Sequence, residues 1–186
     1  MRVRVALAEK GLRYDEKEID LAKKPPELLA LNPAGGVPVL VVDGAAIPDS
    51  SAILQYLEDR FPEPALLPRD DRARRDAWAL HDRVNALLAP CIVKVLRGNA
   101  EEKRQAGHAL RSAFDALEKE MPDEGYLLGS FSVADIALAS FVMKLPDALR
   151  PSALGSSRLA RWEAAVRLRP SIMANMTVPR PAKATP

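Results

Sequence analysis

The sequence is poor in the residues that build disulfides and metal sites. It holds one cysteine, Cys91, among 186 residues. No disulfide can form within the chain, and a reducing compartment, the cytoplasm, is the expected setting. Its two histidines, His81 and His108, are widely separated from each other and from Cys91, which argues against a zinc site. An excess of one charge is also lacking. Lys+Arg 27 against Asp+Glu 25 leaves a formal net charge of +2, too little to predict a nucleic-acid-binding surface. No apolar run reaches the roughly 18–20 residues of a membrane span. Arg2 and Arg4 are not followed by a separate apolar stretch and cleavage site, so a secretory leader is not expected. What the chain does have is 48% hydrophobic and 28% charged residues, close to an ordinary globular protein. That composition excludes disorder of the whole chain. The length suits one domain or two small ones with a real core.

The first half mixes element types. Val3 to Leu12 predicts a helix stopped by Gly11. Glu16 to Leu21 ends with Ile19 and Leu21 spaced as in a strand. Pro25-Pro26-Glu27 opens a short helical turn through Leu31, and Asn32-Pro33-Ala34-Gly35-Gly36 is turn chemistry. Val37 to Val42 predicts a strand, Asp43-Gly44 a tight hairpin turn and Ala45 to Ile47 its return. Asp49 or Ser50 then caps a helix carrying Ile53, Leu54 and Leu57. Between Phe61 and Pro68 three prolines predict a stiff linker. The second half is helical: a long pattern from Asp70 to Gly98, then Glu101 to Met121, Ser132 to Met143 and Arg158 to Leu168. The tail from Thr177 to Pro186 holds three prolines and little apolar content and is expected to fray. The predicted division is residues 1–60, a linker at 61–69, helices over 70–176 and a disordered tail at 177–186.

Three patterns carry the functional reading: Asn32-Pro33-Ala34-Gly35-Gly36-Val37-Pro38-Val39-Leu40, then Pro48-Asp49-Ser50-Ser51-Ala52-Ile53, then Phe131-Ser132-Val133-Ala134-Asp135-Ile136. Pro38 opens a strand, where a missing N–H costs least. Ser50 and the first-turn N–H groups of a helix make a ready anion site, and Asp49 complements the helix dipole. Ser132-x-x-Asp135 fits a capping box and is read as structural. With Arg2 to Gly11 and Arg161-Trp162 through Arg169-Pro170 in the same order, these patterns resemble the cytosolic glutathione transferase family over nearly the whole chain, from Arg2 to about Met176. The resemblance implies a thioredoxin-like α/β N-terminal domain and an all-α C-terminal helical domain. It implies that glutathione binds as co-substrate and that its thiolate attacks a small hydrophobic electrophile. It also implies a cis Val37–Pro38 bond. By resemblance Val37 pairs its backbone with the cysteinyl part of glutathione, while Asp49 and Ser50 hold the γ-glutamyl group. A homodimer is implied as well, with no nucleic-acid or membrane partner.

The chain departs from the family at its start. Members carry a first strand and a loop with a catalytic Tyr, Ser or Cys before this helix, and no residue here matches that position. The α/β domain is therefore expected to be incomplete, with the activating residue upstream of Met1, as a start assigned too far downstream would produce. Tyr14, Tyr56 and Cys91 do not fill the role. Cys91 sits among Leu87, Leu88, Ile92 and Val95 and is read as a small buried hydrophobe. His81 and His108 are read as surface residues. Arg2 and Arg4 face either a glutathione carboxylate or solvent. Two further readings stay open: a non-catalytic interaction module of the same fold, and a glutathione-dependent isomerase or dehalogenase.

Overall fold

The computed structural model describes residues 1–155 and 157–176. The expected fraying of 177–186 lies outside them. Helix α1 spans Arg2–Glu9, and Gly11, at φ +63, takes the left-handed conformation that ends it. Helix α2 spans Pro26–Leu31. Strands β1, Val39–Val42, and β2, Ala45–Pro48, form an antiparallel hairpin. Its turn residues Asp43 and Gly44 both have positive φ, as a type I′ turn requires. Helix α3 spans Ser50–Arg60.

The predicted strand at Glu16–Leu21 does not form; residues 12–20 have no regular structure. A strand forms only where a neighbouring strand takes up its N–H and C=O groups on at least one side. The only sheet among the described residues is the two-stranded hairpin, so spacing alone could not make this segment a strand.

The helical half contains α4, Asp71–Arg97, α5, Ala100–Glu118, and α6, Val133–Val142. A 3₁₀ turn at Asp147–Leu149 and three further helices follow: α7, Pro151–Leu154, α8, Ser157–Arg167, and α9, Pro170–Met176. The sequence reading missed the 3₁₀ turn, α7 and α9, each too short to show a helical period. Helix α6 is the centre of the core. All ten of its residues are buried, which fits its lack of a polar face. Val84, Leu88 and Val95 of α4, Leu110 and Phe114 of α5, and Leu159, Trp162 and Val166 of α8 join it in one cluster.

Two polar assemblies pin the elements together. Asp135, fully buried, accepts from Leu127 N–H (2.9 Å), Ser132 N–H (2.9 Å), the Ser132 hydroxyl (2.9 Å) and Trp162 Nε1–H (2.8 Å). Burial pushes its carboxyl up, and these four donors oppose that. The capping box thus also anchors α8. The second assembly lies under residues 61–69. Lys10 pairs with Glu58 at 2.6 Å and donates to the carbonyls of Phe61 (2.6 Å) and Pro64 (3.0 Å). Glu58 accepts from Leu66 N–H at 3.1 Å. Leu66 and Leu67 are buried in the core, and Val133 N–H bonds to the Leu66 carbonyl. The proline-rich connection is anchored through Leu66 and Leu67, while residues 62–65 stay exposed.

Candidate functional site

The hairpin register brings the predicted site residues together. Val39 pairs with Pro48, so the residues just outside this pair, Val37-Pro38 on one strand and Asp49-Ser50 on the other, share one end of the hairpin. The Val37–Pro38 peptide bond is cis, in line with the resemblance. Val37 is 46% exposed, so the residue lies at the surface of this end of the hairpin. Asn32 holds the turn before it, donating from Nδ2 to the Gly36 carbonyl (2.9 Å) and accepting from Ala34 N–H (3.2 Å).

Asp49 is the N-cap of α3. Its Oδ1 accepts from Ser51 N–H (2.7 Å) and Ala52 N–H (3.2 Å). Two of the first-turn donors expected to face an anion are therefore occupied by Asp49 itself. Asp49 also sits at φ +75, ψ 134, a region L residues rarely adopt, which costs on the order of 1–3 kcal/mol and recurs at binding sites.

The structure adds a residue that the sequence left open. Arg2, at the start of α1, reaches into this corner. It donates from Nη1 to the Ser50 hydroxyl (3.5 Å), from Nε to the Ser140 hydroxyl (2.8 Å) and from Nη2 to Asn85 Oδ1 (2.5 Å). Its guanidinium carbon lies 4.8 Å from the centre of the Phe141 ring. Arg2 thus links α1, α3, α4 and α6 at one point. Burial draws its pKa down, and the nearby charge of Asp49 opposes that. A signal existed in the sequence. Positions 2, 5, 6 and 9 share one helical stripe, and Val5 and Ala6 on it are fully buried. A charged residue on such a stripe needs a polar partner inside.

Arg4 turns elsewhere, to Glu16. His81 is not at the surface; it is buried on α4, with its ring edge against Trp78 (centroids 5.0 Å apart) and Nδ1 2.9 Å from Asp82 Oδ1. Burial lowers its pKa, which favours the neutral ring, and the Asp82 contact opposes this. Helix periodicity alone could not separate it from its exposed neighbours Asp82 and Ala86. His108 is exposed as expected. Cys91 is buried, its thiol donates to the Leu87 carbonyl (3.4 Å), and burial raises its pKa. It is therefore a poor nucleophile. Among the described residues no cluster fits a metal ion, and no helix is long and apolar enough to cross a membrane.

Comparison with known proteins gives a consistent picture. The family model of the glutathione S-transferase N-terminal domain matches residues 1–65, and that of the C-terminal domain matches residues 100–165. Glutathione S-transferase 1 of Dianthus caryophyllus is 38% identical over 151 residues, covering 74% of this chain and 68% of that protein. Maleylacetoacetate isomerase of Pseudomonas aeruginosa is 37% identical over 152 residues, covering 74% of this chain and 72% of that protein. Among solved structures, rice GST1 in complex with glutathione aligns with a TM-score of 0.83 at 30% identity, over 93% of this chain and 83% of that one.

Proposed function

The chain belongs to the glutathione S-transferase family, and on that premise we propose that it binds glutathione at the Val37-Pro38 and Asp49-Ser50 end of the hairpin. The register that sets these two motifs side by side carries the reading. Val37 offers backbone N–H and C=O to the cysteinyl part of the tripeptide. Ser50 offers its hydroxyl to the γ-glutamyl carboxylate, and Asp49 offers negative charge to the γ-glutamyl amino group. In this reading residues 1–60 hold glutathione, 61–69 connect, and 70–176 supply an apolar wall for the co-substrate. The reaction is attack of the glutathione thiolate on a small hydrophobic electrophile, forming a carbon–sulfur bond. We assign activation of the thiol to no side chain among the described residues. The setting is cytoplasmic and the working unit a homodimer.

A second reaction on the same site is favoured by the Pseudomonas relative: glutathione-dependent isomerisation, in which the thiol adds to a double bond and later leaves. The two are separated by products, a stable thioether in one case and a rearranged substrate with free glutathione in the other.

A thermal melt with and without glutathione tests the binding. At 100 times its dissociation constant the ligand adds about 2.7 kcal/mol of stability. Ser50→Ala is expected to shrink that shift while leaving the ligand-free melt nearly unchanged. Absence of a shift in the parent chain would refute the reading. An undiminished shift in Ser50→Ala would remove Ser50 from the site.

A further inference from the structure

We propose that Arg2 is the carboxylate-recognising side chain of this site, supplying the positive charge for a ligand carboxylate placed beside the Ser50 hydroxyl. The proposal rests on the glutathione reading above.

Three observations carry it. The first is an imbalance of charge. Arg2 is half-buried, and its hydrogen-bond partners Ser140, Ser50 and Asn85 are all neutral. Every other half-buried arginine among the described residues is ion-paired with a carboxylate. Asp49 lends nearby negative charge without pairing directly with Arg2, and a ligand anion at the guanidinium supplies the direct partner that lowers the cost of partial burial. The second is aim. Of the three hydrogen bonds, those to Ser140 and Asn85 measure 2.8 and 2.5 Å, while that to Ser50 is the long one, at 3.5 Å. Two contacts fix the guanidinium, and the third arm is held loosely beside Ser50, where a carboxylate oxygen can take the better bond. The third is supply. The Ser51 and Ala52 N–H groups, which would otherwise bind an anion, are taken by Asp49. With those two donors taken, a full positive charge at this corner comes from Arg2, whose Nη1 reaches the Ser50 hydroxyl. Its planar fork suits a carboxylate, and its charge persists despite partial burial.

The carboxylate belongs either to the γ-glutamyl end of glutathione or to an acidic co-substrate. Arg2 touches both α3, beside the first, and α4 and α6, beside the second. Calorimetric titration of the full chain with two ligand pairs separates these sources. One pair is glutathione and 4-aminobutyryl-cysteinylglycine, which lacks the γ-glutamyl carboxylate. The other is S-(3-carboxypropyl)glutathione and S-butylglutathione, which differ in the carboxylate on the conjugated group. Arg2→Met is expected to weaken the carboxylate-bearing member of one pair by about 10- to 100-fold. Its carboxylate-free twin should change far less, and Arg2→Lys should recover part of the difference. A difference that opens within the first pair, with both S-substituted ligands weakened alike, assigns the charge to glutathione, and a difference confined to the second pair assigns it to an acidic co-substrate. An equal loss within both pairs would mean that Arg2 only holds the fold, and no loss in either would mean that it faces no ligand; each overturns the proposal. Failure of the parent chain to bind glutathione is distinct, because it removes the functional reading itself and Arg2's ligand with it.

Discussion

Replacing Lys10 by Met removes the cation from an assembly that joins α1, α3 and the connection between the halves. Lys10 is 0% and Glu58 3% exposed at the side chain. All three ammonium hydrogens have acceptors: Glu58, Phe61 and Pro64. In Lys10→Met the Glu58 carboxylate stays buried with Leu66 N–H as its remaining partner, and two carbonyls lose their donor. Breaking one side of such a pair costs about 3–5 kcal/mol. In a chain of this length each kcal/mol moves the melting temperature by about 2–4 °C, so a fall of about 6–20 °C is expected. Removing both charges in Lys10→Met with Glu58→Leu leaves no orphaned ion, and the double variant should recover most of that fall. Differential scanning calorimetry of parent, single and double variants makes the test. If Lys10→Met melts within about 2 °C of the parent, or the double variant loses the sum of the two single changes, the pair does not act as a buried unit.

Two further outcomes follow from the polar network. Trp162→Phe keeps the ring but removes one of the four donors to Asp135, which should cost about 1–3 kcal/mol, read as a lower urea midpoint; an unchanged midpoint would mean that Asp135 is held by the other three alone. Glu9→Gln probes acid stability. Burial alone would raise the Glu9 carboxyl, but hydrogen bonds from Arg169 and Ser171, together with the Arg169 charge, outweigh it and hold the pKa below the ordinary 4.5. A depressed folded-state value stabilises the protein above the unfolded value, and that stability is lost as pH falls through the folded value. Urea titrations at a series of pH values should therefore show the parent losing stability below pH 4.5 more steeply than Glu9→Gln, whereas parallel curves would rule this linkage out.

The hairpin and the cap beside the site were legible because turn and cap chemistry is local: Asp43-Gly44 set the turn, and of the two cap candidates, Asp49 and Ser50, the structure uses Asp49. The strand expected at Glu16–Leu21 failed because pairing is not local: Ile19 and Leu21 can alternate without any neighbour to bond. Helical spacing placed His81 on α4 but not its depth, which the packing around Trp78 and Asn85 decides. Arg2 was left between two roles for a similar reason. Its partners Ser50, Asn85 and Ser140 lie 48, 83 and 138 residues away, and no single-chain pattern links positions so distant.

The bond between Glu9 and Arg169 has a consequence for how the protein is made. Arg169 donates to both carboxylate oxygens of Glu9 (2.9 and 2.6 Å) and stacks 4.0 Å from the centre of the Phe131 ring. The two partners are 160 residues apart. At synthesis rates of about 5–20 residues per second, roughly 10–30 s separate their emergence from the ribosome. Throughout that interval Glu9 waits without its cation, while α3 and α6, on which α1 also packs, are made earlier. The contact with α9 is therefore the last of those that lock α1, and until it forms the Glu9 carboxylate must stay hydrated at the end of the helix.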